Sequence, residues 1–504
     1  MLIFFCSYTV LSRADNCLRS LHRELIQKQL EHSLGYIIQN TGERMGGRAG
    51  SVIASNGKTN SKEYHYHWVR DAALTHLELL KWLKSEPLDH EHFDTVFQEL
   101  LASLDFTKEI QDAGLGGGTP KVHVDGTEFK GVNATPQNDG PALRSIFLLD
   151  FAQYLISIGK RDIVEEKILK TKILENDLKY VLKEWREMDR NQIPTSVDPE
   201  RVSRDSWEEI PALAFFYNRM VQRAAFYKAA TFFESIKNPT EAAIYKKEAQ
   251  IVEDEFEHFW NPELGLYEFA KDDKWTRKWQ FNRDSRVDVL VMLASLHGKI
   301  PGDKKMGLQN TKIQASVYHI VKRSQEKFAI NQGVEDGGIM IARYPEDSWD
   351  GEKRGDWNEE RGNRGEGGYP WVLATAGYAQ FLAELRTDTI NDGKFIVDEH
   401  NLKFINEIVL LGSDPVRAGT FDSKSPEYER ITDALDARSF AVFTRLLKFA
   451  AKEDGHASEG VDPRSEINGG GVPKGPEDLT WSHVSIFSAA RSLNVHLQNH
   501  REKP

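Results

Sequence analysis

Residues 139–185, DGPALRSIFLLDFAQYLISIGKRDIVEEKILKTKILENDLKYVLKEW, place two kinds of helix side by side. From Ala142 to Ile158 the apolar residues fall on most faces of a helical wheel, so this segment reads as a helix covered on nearly all sides. From Arg161 to Trp185 the apolar residues Ile163, Val164, Ile168, Ile173, Leu174, Leu178 and Leu182 are separated by charges, the pattern of an outer helix with one buried stripe. Pro141 stands in the first turn of the inner segment, where its missing N–H leaves no hydrogen bond unmade.

The same alternation runs along the chain. Val287–Leu296, Trp371–Leu385 and Leu479–Leu497 have the inner character, and Glu241–Phe259 has the outer one. Between Cys17 and Leu497 the periodicity predicts about a dozen helical segments and no convincing alternating strand. Alternating inner and outer helices build either an open solenoid or a closed double ring. A solenoid requires a sequence repeat of fixed length; none is visible, and the connections vary greatly in size. The expected fold is all-α, an α/α barrel.

The polar and acidic words cluster just before the inner helices. Pro141 follows Asp139-Gly140, Pro211 follows Glu208-Glu209-Ile210, and Pro370 follows Gly367-Gly368-Tyr369. Asp71 and Asp478 read as N-terminal caps. In a closed ring these helix starts gather around one pocket, which brings the acids together. Two carboxyl groups facing one bond suit glycoside hydrolysis: one protonates the leaving oxygen, and the other activates water or attacks the sugar.

The 504-residue chain carries 77 acidic and 65 basic residues, a net charge of −12. That balance argues against nucleic acid as a partner. Its two cysteines, Cys6 and Cys17, form no framework that braces the body, and no His or Cys pattern beside them suggests a metal. Residues 1–16 read as a signal-like extension: Leu2–Leu11 is apolar and Ser12-Arg13-Ala14 is a small-x-small cleavage pattern, without the usual basic start. A secretory route to the extracellular space or the vacuole is expected. Residues 17–504 are expected to form a single domain with no appended module, acting as a monomer away from membranes.

Five words occur in a telling order: Tyr64-His-Tyr-His-Trp68-Val-Arg70-Asp71, Pro136-Gln-Asn-Asp139-Gly-Pro-Ala-Leu-Arg144, Asp205-Ser-Trp207-Glu208-Glu209, Arg343-Tyr-Pro-Glu-Asp347 and Asp478-Leu-Thr-Trp481-Ser. Together they resemble the signature segments of fungal glucoamylases, the family 15 glycoside hydrolases, from about Leu21 to about Leu497. The resemblance implies a barrel of six inner and six outer helices and no cofactor. It also implies inverting release of β-glucose from nonreducing ends of α-1,4-glucans such as starch, glycogen and maltooligosaccharides, slower on α-1,6 branches. Related α-glucosides (trehalose or dextran) and a non-catalytic glucan-binding protein are the alternatives.

The resemblance places Glu208 on the general acid. It places the general base near the end of the chain, at a glutamate that follows a serine. Ser465-Glu466 and its distance to Trp481 favour Glu466, with Glu459 and Glu477 as competitors. Arg70, Asp71 and Arg343 are expected to clamp the terminal glucose, Glu209 to reach the next sugar, and Tyr64, Trp68, Trp207 and Trp371 to line the pocket. Pyranose rings pack their C–H faces on such aromatic surfaces. Asp139 and Arg144 are expected to be architectural. Ser206 stands where the family pattern has Leu. Asn133 stands where it commonly has Trp, and Gly351–Gly368 reads as an inserted loop.

Overall fold

A computed structural model describes residues 11–56, 64–131, 136–188, 203–212, 214–271, 283, 285–349, 368–409, 414–451, 454–464 and 466–499. Asn133 and, except for Gly368, the inserted segment lie outside the described residues. Among the described residues twelve helices form two layers. The outer set is α1 (Leu11–Gln39), α3 (Phe93–Asp112), α5 (Ile173–Met188), α7 (Pro239–Asp254), α9 (Thr311–Lys327) and α11 (Pro426–Ala450). The inner set is α2 (Val69–Ser85), α4 (Gly140–Ser157), α6 (Phe216–Ser235), α8 (Leu290–His297), α10 (Val372–Asp392) and α12 (Thr480–Asn499). A further short helix, Leu402–Val409, sits between α10 and α11.

The inner helices close on themselves. α2 packs on α4, α4 on α6, α6 on α8, α8 on α10, α10 on α12, and α12 returns to α2. Each outer helix covers one inner neighbour: α3 on α2, α5 on α4, α7 on α6, α9 on α8, α11 on α10 and α1 on α12. This is the double ring expected from the two helix types. Residues 140–149 of α4, 216–226 of α6 and 372–383 of α10 are buried without interruption, which is why no apolar period is visible in them. In α7 only Ala242, Tyr245, Glu248, Ala249 and Val252 are buried, a single stripe.

Local details differ from the periodic reading. The Arg161–Trp185 segment is not one helix: a short turn, Arg161–Ile163, passes into a π-turn, Val164–Leu169, before α5 begins. Lys172 at φ +62° separates the two, and a left-handed residue ends a helix. Pro211 does not open a helix; it pairs with Arg204 in a two-residue ribbon, and α6 starts at Phe216. Five two-stranded antiparallel ribbons occur among the described residues. Their strands run only two to five residues, too short to display the alternation that marks a strand.

The expected caps are also corrected. Asp71 lies inside the first turn of α2, whose N-cap is Trp68. The Asp139 carboxylate makes no capping bond and instead accepts from Arg70 (3.1 Å) and Ser206 (2.6 Å). Asp478, at φ +54°, accepts from His456 (2.8 Å) and faces His483 (3.3 Å). A polar side chain at a helix start caps only when nothing stronger competes for its oxygens; here buried cations and imidazoles do.

Arg144 is architectural, as expected. Its guanidinium binds Asp177 of α5 through two nitrogens at 2.6 and 2.7 Å and reaches the Gly116 carbonyl at 2.7 Å. Both ionic side chains are almost fully buried. Removing one partner of such a pair strands a buried charge, which costs about 3–5 kcal/mol. Asp177→Ala is therefore expected to lower the unfolding free energy by about 3 kcal/mol or more in urea titration. An effect within about 0.5 kcal/mol, the size typical of surface substitutions, would contradict the account.

Candidate active site

All six inner helices run the same way, and a cavity of about 690 Å³ opens at their N-terminal ends. Tyr64, Trp68, Arg70, Asp71, Trp207, Glu208, Glu209, Arg343 and Trp371 all line it. Glu466 does not.

The acid-bearing turn is organised by Asp205, which is fully buried. Its Oδ1 accepts from the backbone N–H groups of Glu209 (2.7 Å) and Ile210 (3.0 Å), and its Oδ2 takes Arg283 at 2.9 Å. The turn closes with Glu208 N–H donating to the Asp205 carbonyl at 3.0 Å. Glu208 itself sits at φ +65°, a conformation uncommon for a residue with a Cβ. Strain of this kind persists only where the surroundings over-determine it, and it aims the Glu208 carboxyl into the cavity. There Trp68 Nε1–H donates to Glu208 Oε1 at 2.7 Å.

Ser206 replaces an expected leucine with a hydroxyl that donates to Asp139 Oδ2. Asp139 also holds Arg70, which lies 3.6 Å from Asp71 and 5.2 Å over the Trp481 ring. The acid turn and the Arg70-Asp71 clamp are thus tied through one buried carboxylate. Burial is the largest effect on Asp71 and drives its pKa up to about 6, against the attraction of Arg70 and with repulsion from Glu208.

Glu209 is held differently. Burial would raise its pKa, but Arg343 (2.9 Å), Arg283 (2.5 Å) and the Tyr344 hydroxyl bind the carboxylate and bring it down to about 2. It is a fixed anion at neutral pH. Arg283 also reaches Asp288 (2.8 Å) and stacks 3.8 Å over Tyr344. Arg343 is gripped by Asp347 through two bonds of 2.7 and 2.8 Å and lies 4.5 Å over Trp371. Trp207, stacked 6.0 Å from Trp481, completes the floor.

A further carboxyl group in the cavity, facing Glu208 across Tyr64 and Trp68, is that of Glu459. It is 2% exposed and lies in the strand Ser458–Val461, buried along its whole length and paired with Pro473–Glu477. Tyr64 donates to its Oε1 at 2.8 Å; Trp349 Nε1–H (2.8 Å) and Tyr369 donate to its Oε2. Burial pushes its pKa up, and the three donors pull against that. Tyr64 and Trp68 are ring neighbours, 6.3 Å apart. A continuous chain Glu459–Tyr64–Trp68–Glu208 therefore spans the cavity.

Glu466 lies on the connection between those two strands, in the turn Glu466–Asn468. Its carboxylate pairs with Lys448 at 2.7 Å and its side chain is 47% exposed; neighbouring Ile467 is 97% exposed. Near the end of the chain the Ser-Glu word that pointed to it occurs twice, as Ser458-Glu459 and Ser465-Glu466. Only the hairpin decides between them, because it sends the first strand inward and its connection out. Arg283 and Asp288 also escaped the reading. Both belong to RDSRVD, the polar word directly before inner helix α8, so the rule that located the other words applies to them as well.

The fold and the site together define a helical-barrel glycoside hydrolase. The family model for glycosyl hydrolases family 15 matches residues 27–491, and the chain belongs to that family. A glucoamylase from Blastobotrys adeninivorans is 29% identical over 88% of this chain and 67% of its own. A probable glucoamylase from Schizosaccharomyces pombe is 26% identical over 92% and 90%. The glucoamylase structure from Saccharomycopsis fibuligera superposes with TM-score 0.77 over 95% of this chain and 96% of its own, at 23% identity. That from Hypocrea jecorina superposes with TM-score 0.78 over 94% and 72%, at 24% identity.

Gly460 lets the Glu459 strand pass the Tyr369 ring. A Cβ there would lie 2.0 Å from Tyr369 Cδ2, so either the strand or the ring must move, and both hold Glu459. Gly460→Ala is expected to destabilise by about 1–3 kcal/mol, the range for overpacking. Thermal and urea unfolding check this, and a variant as stable as wild type would show that the contact yields freely.

Proposed function

We propose that this protein is an exo-acting glucoamylase that releases β-D-glucose from nonreducing ends of α-1,4-glucans, more slowly at α-1,6 bonds, by single displacement with inversion. The observation that carries the reading is the pair Glu208 and Glu459 in one cavity, each aimed by one member of the adjoining Tyr64/Trp68 pair.

Glu208 acts as general acid. Trp68 occupies its Oε1, leaving the other oxygen for the proton that passes to the glycosidic oxygen as the C–O bond breaks. Glu459 acts as general base: it takes a proton from the water that attacks the anomeric carbon from the opposite face, and inversion follows. Arg70, Asp71 and Arg343 hold the hydroxyls of the terminal glucose by charge-assisted hydrogen bonds, and ionised Glu209 accepts from a sugar hydroxyl. Trp207, Trp371 and Trp481 line the cavity together, an aromatic surface on which the terminal glucose packs.

Glu208→Gln and Glu459→Gln are each expected to lower kcat on maltose by about 10²–10⁴-fold, the usual worth of a general acid or base, while Glu466→Gln stays within about twofold. NMR of the first product is expected to show the β anomer. A dead Glu466→Gln beside an active Glu459→Gln, or α-glucose first, overturns the assignment.

The pH profile supplies an independent check. A base works only when ionised, so activity falls as pH drops through the Glu459 pKa. The Tyr64 hydroxyl favours the ionised form. Tyr64→Phe removes that donor and is expected to move the acid limb of kcat/KM to higher pH; a limb that stays or moves lower removes Glu459 from the role.

A further inference from the structure

The barrel has a second mouth. A cavity of about 560 Å³ opens at the opposite end of the inner ring and is lined by residues from all six inner helices. Its deep wall is apolar: Leu74, Ile146, Leu293, Val484 and Trp481. Trp481 also lines the catalytic cavity, so one indole separates the two. Nothing in the proposed hydrolytic mechanism uses this second space.

The rim is charged but balanced. Lys228 pairs with Asp150 at 2.7 Å. Lys299 sits between Glu384 (2.8 Å) and Asp388 (3.1 Å). Glu78 pairs with Lys81 and, at 3.3 Å, with Arg491. Four cations face four carboxylates, and each is in a pair. Between rim and floor stand the neutral polar groups of Gln380, Ser485 and Ser488, all nearly buried. Gln380 donates to Glu384 at 2.8 Å, and the Ser492 hydroxyl reaches the same carboxylate at 3.2 Å.

An ionic ligand finds no unmatched counter-charge here, and displacing an existing pair would strand a charge. A purely apolar ligand would strip water from these charged pairs and return no hydrogen bonds to them. A neutral polyhydroxy ligand meets neither obstacle. Its hydroxyls both donate and accept, which suits alternating ammonium and carboxylate groups, and its C–H faces suit the aliphatic wall and the Trp481 edge. We propose that this far cavity is a second, non-catalytic site for a small neutral saccharide, of mono- or disaccharide size. The site stands independently of the hydrolase reading, although glucose released at the near mouth belongs to the class it would take.

Equilibrium dialysis with radiolabelled glucose, and separately with trehalose, tests the proposal on the full chain. Arg343→Ala removes the near-mouth clamp, and Ser488→Trp fills the far cavity. Wild type is expected to bind about two glucose molecules per chain and Arg343→Ala about one. Ser488→Trp is expected to lose the far-site equivalent while keeping wild-type kcat on maltose. Gln380→Leu, which leaves the volume open, is expected to weaken the far site about tenfold, as the loss of a hydrogen bond near a charged group does; it serves where Ser488→Trp does not fold. Inorganic phosphate and a diamine, added as competitors, are expected not to displace the sugar.

A single equivalent that disappears in Arg343→Ala and is unmoved by both far-cavity variants overturns the proposal. So does displacement by phosphate or diamine. Binding that survives Arg343→Ala and responds to Gln380→Leu upholds the far site even if no glucan is hydrolysed, so failure of the hydrolase reading and failure of this one give different results.

Discussion

The shared direction of the six inner helices is the constraint on which the site depends. Closing the ring puts every inner N-terminus at one mouth, and with it every loop that enters an inner helix. The positive ends of the helix dipoles converge there, a setting in which carboxylates are favoured. Asp71, the adjacent Glu208 and Glu209, and Glu459 approach from three parts of the chain and tolerate proximity because Arg70, Arg283 and Arg343 are interleaved among them. The outer helices run the opposite way, so they cover the ring while returning the chain to the same mouth.

Different burial and partners give these carboxyl groups different properties. Glu209 meets two guanidinium groups and a phenol and is held ionised. Asp71 is dominated by burial and titrates near 6. Glu459 is raised by burial while three neutral donors oppose the shift. Neutral donors orient a carboxylate without fixing its charge as firmly as a guanidinium does, which fits the proton-accepting role proposed for Glu459. The buried ion pairs of the barrel wall, such as Arg144 with Asp177, do structural work at the same mouth by locking α4 to α5.

Trp481 links the two halves of the barrel. It stacks on Trp207, lies under Arg70, and lines both cavities. Its backbone is anchored next door: Thr480 donates to the Ile53 and Ala54 carbonyls, and Asn40, just past the end of α1, donates to the Asp478 carbonyl.

The sequence by itself determined the double-layered helical architecture, because an inner helix must be apolar on most faces and an outer one on a single stripe. It also determined at which mouth the polar and acidic residues gather, because the polar words directly precede inner helices, and it named nine of the cavity's residues. It did not determine the second carboxyl group. Ser458-Glu459 and Ser465-Glu466 are the same word, and local pattern carries no information on which enters the barrel. That was decided by a hairpin pairing Ser458–Val461 with Pro473–Glu477, by Gly460 fitting against Tyr369, and by donors from Tyr64, Trp349 and Tyr369 that lie as far as 395 residues away in the chain. The partners of Asp139 and Asp478 were hidden for the same reason. A helix-start aspartate looks like a cap until packing supplies a cation or an imidazole that binds it more strongly than a backbone N–H.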